Sequence, residues 1–293
     1  MDSHSKTIDY LNNSSQKLTN TFFLQTCIKG DFELAKELLK SKQLQFKPNI
    51  YHTNPTFALD LPELHIPEML INPLMAAALH GNLEFIKILT SHTELNNIEL
   101  YPYSPEAVVC AGINNHKDSL IYLLNQIPKD IRHTDKEKDL YNKLFMTCAR
   151  RGFIDIMEIL LKNEKIVSFL EINPKHETSA LMLAAQSGQL ETVKYLLHSD
   201  ILPEKANLYH VDSSLWNALN YATITQEEKV IHYFIFDCNM AINDTDIKYF
   251  KKQFTKGIDM LNYRNQRDRS VELYDNITEN LSQVNNKKIL KKI

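Results

Sequence analysis

The sequence predicts an all-α solenoid of about six stacked helix pairs, and three observations support this fold class. One block recurs along the chain, most clearly as NPLMAAALHGNLEFIKIL at 72–89 and SALMLAAQSGQLETVKYLL at 179–197, with weaker copies beginning near 21, 106, 143 and 217. Each copy has small residues in its first half and a turn residue before its second half. After a first interval of 51 residues, the turn residues follow one another every 34 to 38 residues, which is the period of a helical repeat.

The turn residue of each block is expected to adopt a left-handed backbone. Glycine adopts this conformation at little cost, and asparagine does so more readily than other residues. The six turn residues are Gly30, Gly81, Asn115, Gly152, Gly188 and Gln226. Five of the six therefore follow the rule, and Gln226 departs from it.

The two halves of a block are typical of two short antiparallel helices. Asn72 before Pro73, and Ser179 in the fifth block, are expected to cap the first helix with their side-chain oxygens. The second helix of the fifth block has apolar residues at helical spacing between Leu190 and Leu197. Small residues at the centre of the first helices let neighbouring helices approach closely, and they are Ala77, Ala78, Ala111, Gly112, Cys148, Ala149, Ala184 and Ala185.

NPLMAAALHG and SALMLAAQSG resemble the opening T-P-L-H-x-A of an ankyrin repeat, with Asn72 and Ser179 in place of the threonine. The resemblance covers roughly residues 21–235. It implies an ankyrin-repeat solenoid whose first helices and finger loops form a concave face that binds a protein partner. The degenerate repeats are also similar in style to ankyrin effectors that intracellular bacteria inject into eukaryotic hosts. The Asn-, Lys- and Ile-rich composition fits such an effector, but AT-rich protist genomes would leave the same composition.

The chain is expected to contain three segments: a polar N-terminal segment at 1–20, the repeat array at 21–240, and capping helices with a basic tail at 241–293. With six glycines and no Gly-Ala-Asp tripeptide, the sequence lacks the usual ankyrin finger, which predicts irregular fingers. A long insertion at 40–71 contains four prolines. It is either a loop folded back over the first two repeats or a functional insertion that shapes the binding groove.

Charge is distributed unevenly along the chain. The formal net charge is −3, and residues 241–293 hold 11 Lys and Arg against 7 Asp and Glu, so the preceding residues carry −7. Because an acidic array is a poor general ligand for nucleic acid, we expect no nucleic-acid partner. The tail can cap the last repeat, lie on a membrane surface through 270–293, or act as a recognition or secretion signal.

The location that the sequence predicts is the cytoplasm, or the cytoplasm of a eukaryotic host cell if the chain is a secreted effector. The N-terminus lacks the basic-then-apolar pattern of a secretory signal. The four cysteines are scattered without a CxxC pair, which favours a reducing compartment.

Motifs for catalysis are absent from the sequence: there is no GxGxxG, GxxxxGK[ST], GxSxG, HExxH or EF-hand loop. We therefore expect no enzyme, no cofactor and no metal site, and an enzymatic site could lie only in the insertion or the tail. Cys27, Cys110 and Cys148 fall in first helices and are expected to be small buried hydrophobic residues rather than catalytic thiols.

Candidate contacts for a partner lie just before each turn and just before each first helix, because the resemblance places those positions on the concave face. They are Met69, Ile71, Leu79, His80, Tyr103, Ile113, Asn114, Tyr141, Arg150, Arg151, His176, Gln186 and Trp216. The strongest candidates are the tyrosines, the arginines and Trp216, since binding hot spots favour these residue types. Trp216 can instead pack between the fifth and sixth repeats, and the two arginines can simply be solvated.

Together these candidates indicate an aromatic groove with a basic spot, which suits an acidic peptide or loop. The sequence thus predicts a monomeric, non-enzymatic adaptor for a protein partner, and a host protein with an acidic segment is one candidate. The alternative from a second class is an adaptor targeted to a membrane surface by its C-terminal helix.

Overall fold

The computed structural model describes residues 3–54, 58–61, 66–91, 104–238 and 240. The chain divides into two compact units: the first unit contains residues 1–148 and 153–171, and the second unit contains 149–152 and 172–293. The predicted capping helices and basic tail at 241–293 lie outside the described residues.

In the first unit, a short N-terminal helix precedes four helix pairs, and two strands come between the first and second pairs in the sequence. The helices are α1 (Ser3–Asn12), α2 (Gln16–Ile28), α3 (Phe32–Lys40), α4 (Pro73–Leu79), α5 (Leu83–Ser91), α6 (Pro105–Ile113), α7 (Lys117–Asn125), α8 (Asp135–Arg151) and α9 (Ile154–Leu161). The strands are β1 (Ala58–Leu61) and β2 (Ile66–Leu70). A 3-10 helix at Val167–Phe169 follows α9, and the last turn of α8 belongs to the second unit.

In the second unit, two further helix pairs are described. They are α10 (Ala180–Gln186), α11 (Leu190–His198), α12 (Ala218–Thr225) and α13 (Glu228–His232). A π-helical segment at Tyr233–Asp237 continues α13. The six predicted helix pairs are therefore confirmed in the part of the chain that the structure describes.

All six predicted turn residues adopt the left-handed backbone. The φ angle is 67–78° at the four turn glycines, 59° at Asn115 and 61° at Gln226. In every turn the following N–H donates to the carbonyl five residues earlier at 2.9–3.1 Å, as from Asp31 to Thr26. This hydrogen bond ends the helix at a left-handed residue. It also holds Gln226 in a conformation that glycine would adopt more easily.

The helix caps follow the prediction as well. Asn72 Oδ1 accepts from the Met75 N–H at 2.9 Å, with Pro73 in the first turn of α4. Ser179 Oγ accepts from the Met182 N–H at 3.4 Å at the start of α10. These bonds satisfy backbone donors that have no partner inside the helix.

Close packing of first helices explains their small residues. In the first unit α2 packs on α4 and α4 on α6, and in the second unit α10 packs on α12. A Cβ on Gly112 would lie 2.8 Å from Leu144 Cδ1, so any larger residue would force the buried Leu144 side chain to shift. Cys27, Cys110 and Cys148 are buried as predicted, and burial raises the pKa of the Cys27 and Cys110 thiols.

Helix α8 corrects the predicted start of the fourth repeat. It begins at Asp135 rather than near 143, so two turns of helix occupy the linker 125–142. The helix could not be predicted from the run DKEKD at its start, because this run is entirely polar and has no apolar periodicity. Thr134 and Glu137 form a reciprocal cap: Thr134 Oγ1 accepts from the Glu137 N–H at 3.3 Å, and Glu137 Oε2 accepts from the Thr134 N–H at 2.7 Å.

The insertion 40–71 contains a β-hairpin, which neither alternative for this segment anticipated. β1 and β2 pair antiparallel, with Ala58 opposite Leu70 and an irregularity between Leu59 and Leu61. β2 includes Pro67, which a two-stranded sheet tolerates because each strand has an unpaired edge. The chain is thus all-α in its repeats but carries one small sheet.

The polar N-terminal segment 1–20 is helical over most of its length. Leu11 of α1 is buried, and His4 Nδ1 lies 2.9 Å from Glu37 Oε2 on α3. Asn12 Oδ1 accepts from the Gln45 N–H at 2.9 Å. The segment therefore packs against the first helix pair.

Candidate partner-binding surface

In the first unit, the predicted contact residues Leu79, His80 and Asn114 take part in hydrogen bonds between neighbouring repeats. His80 Nε2 donates to the Ile28 carbonyl, and Asn114 Nδ2 donates to the Leu79 carbonyl, both at 2.9 Å. His116 Nε2 donates to the same Leu79 carbonyl at 2.9 Å. Since a carbonyl oxygen can only accept, both imidazoles carry a proton on Nε2.

The same two imidazole rings cover turn glycines. A Cβ on Gly30 would lie 3.1 Å from His80 Cε1, and a Cβ on Gly81 would overlap the His116 ring. Each turn glycine is thus needed for two reasons, its left-handed φ and the ring above it. These side chains fasten one repeat to the next, and this is a structural role.

Three predicted contact residues are buried, which corrects the prediction that they face a partner. Ile71, Ile113 and Tyr141 are 4%, 3% and 0% exposed. Ile71 precedes the cap of α4, Ile113 is the last residue of α6 and Tyr141 lies within α8, so position in the block did not decide exposure. The side chain of Met69 and all of Tyr103 lie outside the described residues.

Tyr141 instead belongs to an aromatic cluster around His133. The His133 ring meets Tyr141 and Phe169 edge-on, with ring centroids 5.7 and 5.1 Å apart. His133 Nδ1 lies 3.6 Å from Glu137 Oε2. Burial lowers the pKa of His133, and the nearby Glu137 opposes this shift only in part.

The second unit holds the remaining predicted contacts: Arg150, Arg151, His176, Gln186 and Trp216. Successive turns are stacked there, since a Cβ on Gly152 would lie 2.5 Å from Gln189 Oε1 and a Cβ on Gly188 would overlap Glu227. Burial raises the pKa of Glu227. The residues just before these two turns are Arg150, Arg151, Gln186 and Ser187. We call the surface that they form the first-helix face of the second unit.

Arg150 is the residue on this face whose polar groups are least satisfied. Its side chain is half-buried, and its Nε is buried without a hydrogen-bond partner among the described residues. Arg150 and Arg151 form the last turn of α8, where positive charge is favoured by the helix dipole. The helix dipole explains why two positive charges are stable at this helix end, but it gives the buried Nε–H of Arg150 no hydrogen-bond acceptor.

The finger loop 207–216 of the second unit is organised by Asp212. This buried carboxylate accepts from the Ser214 N–H at 2.8 Å, the Trp216 N–H at 3.0 Å and the Tyr221 hydroxyl at 2.9 Å. The Trp216 ring packs edge-on against Tyr221 at a centroid distance of 5.8 Å and remains half-buried. Trp216 therefore packs within its own repeat while keeping part of its surface accessible.

Two further residues of this unit adopt the left-handed backbone although they are not glycine. They are His176, with a φ of 60°, and Leu215, with a φ of 61°. Both side chains are exposed, and Leu215 reaches 77% exposure. His176 was among the predicted contacts, whereas nothing in the repeat pattern pointed to Leu215.

Asparagine side chains that fasten the irregular linkers were also missed. Asn142 bridges the Phe169 carbonyl and the Glu171 N–H at 3.2 and 2.9 Å, and Asn20 accepts from the Asn49 N–H at 2.9 Å. Both asparagines precede the turn glycine by ten residues, which is the signal that would have found them. Asn173 bridges Lys205 and Asn207 in the same way in the second unit.

Comparison with known proteins agrees with the repeat geometry. A family model described as ankyrin repeats, in three copies, matches residues 108–207 and 145–246. The chain contains ankyrin repeats over these residues. This ankyrin-repeat protein is accordingly a protein-interaction module, because that is the general role of the family. No curated protein matches its sequence significantly.

One similar solved structure is that of the Bd0816 predatory endopeptidase from Bdellovibrio bacteriovorus in complex with the immunity protein Bd3460. A chain of that structure is 22% identical to the ankyrin-repeat protein, with a TM-score of 0.46. The match covers 71% of this chain and 94% of the other.

The described residues include neither a membrane-spanning helix nor a candidate metal site. No helix there is long and apolar enough to cross a bilayer. No group of three or more His, Cys, Asp or Glu residues in the same part of the chain could hold a metal ion.

Proposed function

We propose that this interaction module binds an acidic segment of a protein partner on the first-helix face of the second unit, and that it does so without catalysing a reaction. The observation that carries the proposal is the buried Nε of Arg150, which has no hydrogen-bond partner among the described residues. An unsatisfied buried donor of this kind costs about 1–3 kcal/mol. Because the Nε is closed to solvent while the side chain is only half-buried, a partner's carboxylate would satisfy this donor after the guanidinium shifts toward it on binding.

Guanidinium chemistry favours a carboxylate as the ligand. Arginine presents N–H donors in a planar fork that matches the two oxygens of Asp or Glu, and the resulting bonds are charge-assisted. Arg151 adds a second positive charge beside Arg150. Trp216 and Tyr221 provide aromatic surface in the same unit, and aromatic residues and arginine dominate the binding energy of many interfaces.

The test begins with identification of the partner by cross-linking and mass spectrometry of proteins captured from eukaryotic cell lysate. The purified partner is then titrated with the wild type and with an Arg150→Glu, Arg151→Glu double variant. We expect binding of the double variant to be weaker by at least about 30-fold, because truncating or reversing a buried charge contact costs 2–5 kcal/mol. Circular dichroism checks that the variant is folded.

The matched control is Lys194→Glu with Lys229→Glu, which changes the net charge by the same amount on second helices of the same unit. We expect this control to bind within about two-fold of the wild type, since rim charges contribute little to affinity. Equal losses in both double variants would show a general charge effect and contradict the proposed site. Unchanged affinity in the arginine variant would contradict it as well.

The cellular setting is a separate part of the proposal. We propose that the module acts as a bacterial effector on a host protein in the cytoplasm of a eukaryotic cell, and its support is the degenerate repeats and the Asn-, Lys- and Ile-rich composition. A cyclase reporter fused to the chain should produce cyclic AMP inside eukaryotic cells co-cultured with the source organism. An intact fusion that gives no signal contradicts this part.

Membrane binding through 270–293 stays a prediction, which liposome sedimentation of the full chain and of a tail-deleted chain checks.

A further inference from the structure

Leu215 combines two features that do not help the isolated chain. Its φ of 61° lies in the left-handed region, which a leucine with its Cβ adopts at a cost and a glycine does not. Its side chain is 77% exposed, so the leucine buries little apolar surface in its own fold. Glycine at this position would relieve the backbone and remove the exposed side chain.

The surrounding loop fixes this conformation. The Leu215 N–H donates to the Asp212 carbonyl at 3.0 Å, and the Asp212 N–H donates to the Trp216 carbonyl at 3.0 Å. The Asp212 carboxylate accepts from Ser214 and Trp216 on either side of the leucine. The backbone at Leu215 is thus held in one conformation by hydrogen bonds, so the loop that carries the leucine loses little freedom when a partner binds it.

The chemistry of the loop indicates what would cover the leucine. Residues 206–226 contain no Lys or Arg, which disfavours an anionic membrane surface as the ligand. Ser213 and Ser214, both exposed, directly precede the leucine and have small polar side chains. An apolar side chain with a polar, uncharged rim matches the centre of a protein interface.

We propose that Leu215 is an anchor residue that inserts into an apolar pocket on the surface of a folded protein partner. This inference rests on the proposed function and extends it, because the chain then offers a projecting side chain as well as a surface for an acidic segment. Strained residues that persist at exposed positions often belong to binding sites, where the surrounding structure over-determines them.

The first experiment needs no partner. We expect thermal unfolding of Leu215→Gly to occur at the same temperature as the wild type or higher, because the backbone strain is relieved and little packing is lost. Leu202→Gly is the matched control, since Leu202 is a buried leucine in the same linker, and its midpoint should fall. A midpoint that falls in Leu215→Gly would show that the leucine supports its own fold and would overturn the inference.

The second experiment measures affinity for the purified partner identified above. We expect Leu215→Gly and Leu215→Asp to bind at least about ten-fold more weakly, which corresponds to loss of an anchor side chain. If only the arginine double variant loses affinity, the anchor is wrong and the proposed acidic-segment site stands. If only the Leu215 variants lose affinity, the anchor stands and the acidic-segment site is wrong; if neither loses affinity, both are wrong.

Sedimentation of the wild type and of Leu215→Gly, each without a partner, tests the alternative that a second copy of the chain covers Leu215. We expect both proteins to sediment as the same species. Conversion of a dimer to a monomer by Leu215→Gly would show that a second copy of the chain covers the leucine, and this would overturn the assignment to a separate partner.

Discussion

The two units use the residues at the ends of their first helices differently. In the first unit His80, Asn114 and His116 donate to backbone carbonyls of the preceding repeat. In the second unit the buried Nε of Arg150 has no such partner among the described residues. Residues beside the turns therefore pair with the neighbouring repeat in the first unit, whereas in the second unit Arg150, two residues before its turn, keeps an unused hydrogen-bond donor.

Backbone strain is also placed differently. The left-handed turns described in the first unit are formed by Gly30, Gly81 and Asn115, residues that tolerate this conformation. In the second unit, Gln226, His176 and Leu215 adopt it without that advantage. A repeat array can thus keep one fold while one end is optimised for stability and the other retains costly features, which is where we expect the partner to bind.

The largest expected effect would test whether the finger of the second unit depends on a single side chain. Asp212→Ala removes the acceptor of three partly buried hydrogen bonds, so we expect a loss of about 2–3 kcal/mol of unfolding free energy. Urea denaturation measures this quantity.

Ser213→Ala is the control for Asp212→Ala, because Ser213 is exposed in the same loop. Its unfolding free energy should stay within about 0.5 kcal/mol of the wild type. If Asp212→Ala is equally mild, the finger is held by other contacts, and the rigid presentation of Leu215 is wrong.

A smaller effect would sharpen the contrast in backbone strain. Gln226→Gly should raise the unfolding free energy by about 0.5–1 kcal/mol, since relief of the left-handed strain exceeds the added entropy of the unfolded chain. Asn115→Gly should gain no more than about 0.3 kcal/mol, because Asn already tolerates the conformation. Equal gains at the two sites, measured by urea denaturation, would remove the difference in strain between the units.

The smallest effect we expect concerns pH and belongs to the first unit. Burial lowers the pKa of His133 below its ordinary 6.5, so the unfolded chain binds a proton at a pH where the folded chain does not. Stability from this residue is present above pH 6.5 and falls as the pH drops below that value. Glu137 counteracts the shift, and Lys138 and Lys165 reinforce it.

Urea denaturation of the wild type and His133→Phe between pH 7.5 and pH 5 checks this prediction. Phenylalanine keeps an aromatic ring beside Tyr141 and Phe169 but cannot take up a proton, so the variant should lose less stability on acidification. An identical pH dependence in the two proteins would contradict a role for His133.

Much of the fold could be predicted because its features are local. The turn residues, the caps at Asn72 and Ser179 and the small residues beside Gly112 each follow from backbone preference or side-chain size. The two failures have different causes. The start of α8 lacks an apolar period, and strand β2 contains Pro67, a residue that is compatible with strands only at unpaired edges.

The candidate site was less predictable. Arg150 and Trp216 could be chosen by residue type and position, but the same criteria also selected Tyr141 and Ile113, which are buried. The repeat pattern gives the phase of a helix, whereas exposure depends on what the neighbouring loops cover. Leu215 and Asp212 lie in a linker without repeat symmetry, so no alignment of blocks could find them.

The sequence by itself determined the ankyrin-repeat resemblance, the six helix pairs and the turn within each pair, because these depend on residue size and backbone preference within one block. Only the tertiary structure decided which polar side chains are paired, which of the aromatic residues are buried and which residues carry left-handed strain in solvent. Those properties arise from contacts between residues about 30 to 50 positions apart, such as His80 with Ile28 and Asn173 with Lys205. Contacts at that separation form only once the repeats have stacked.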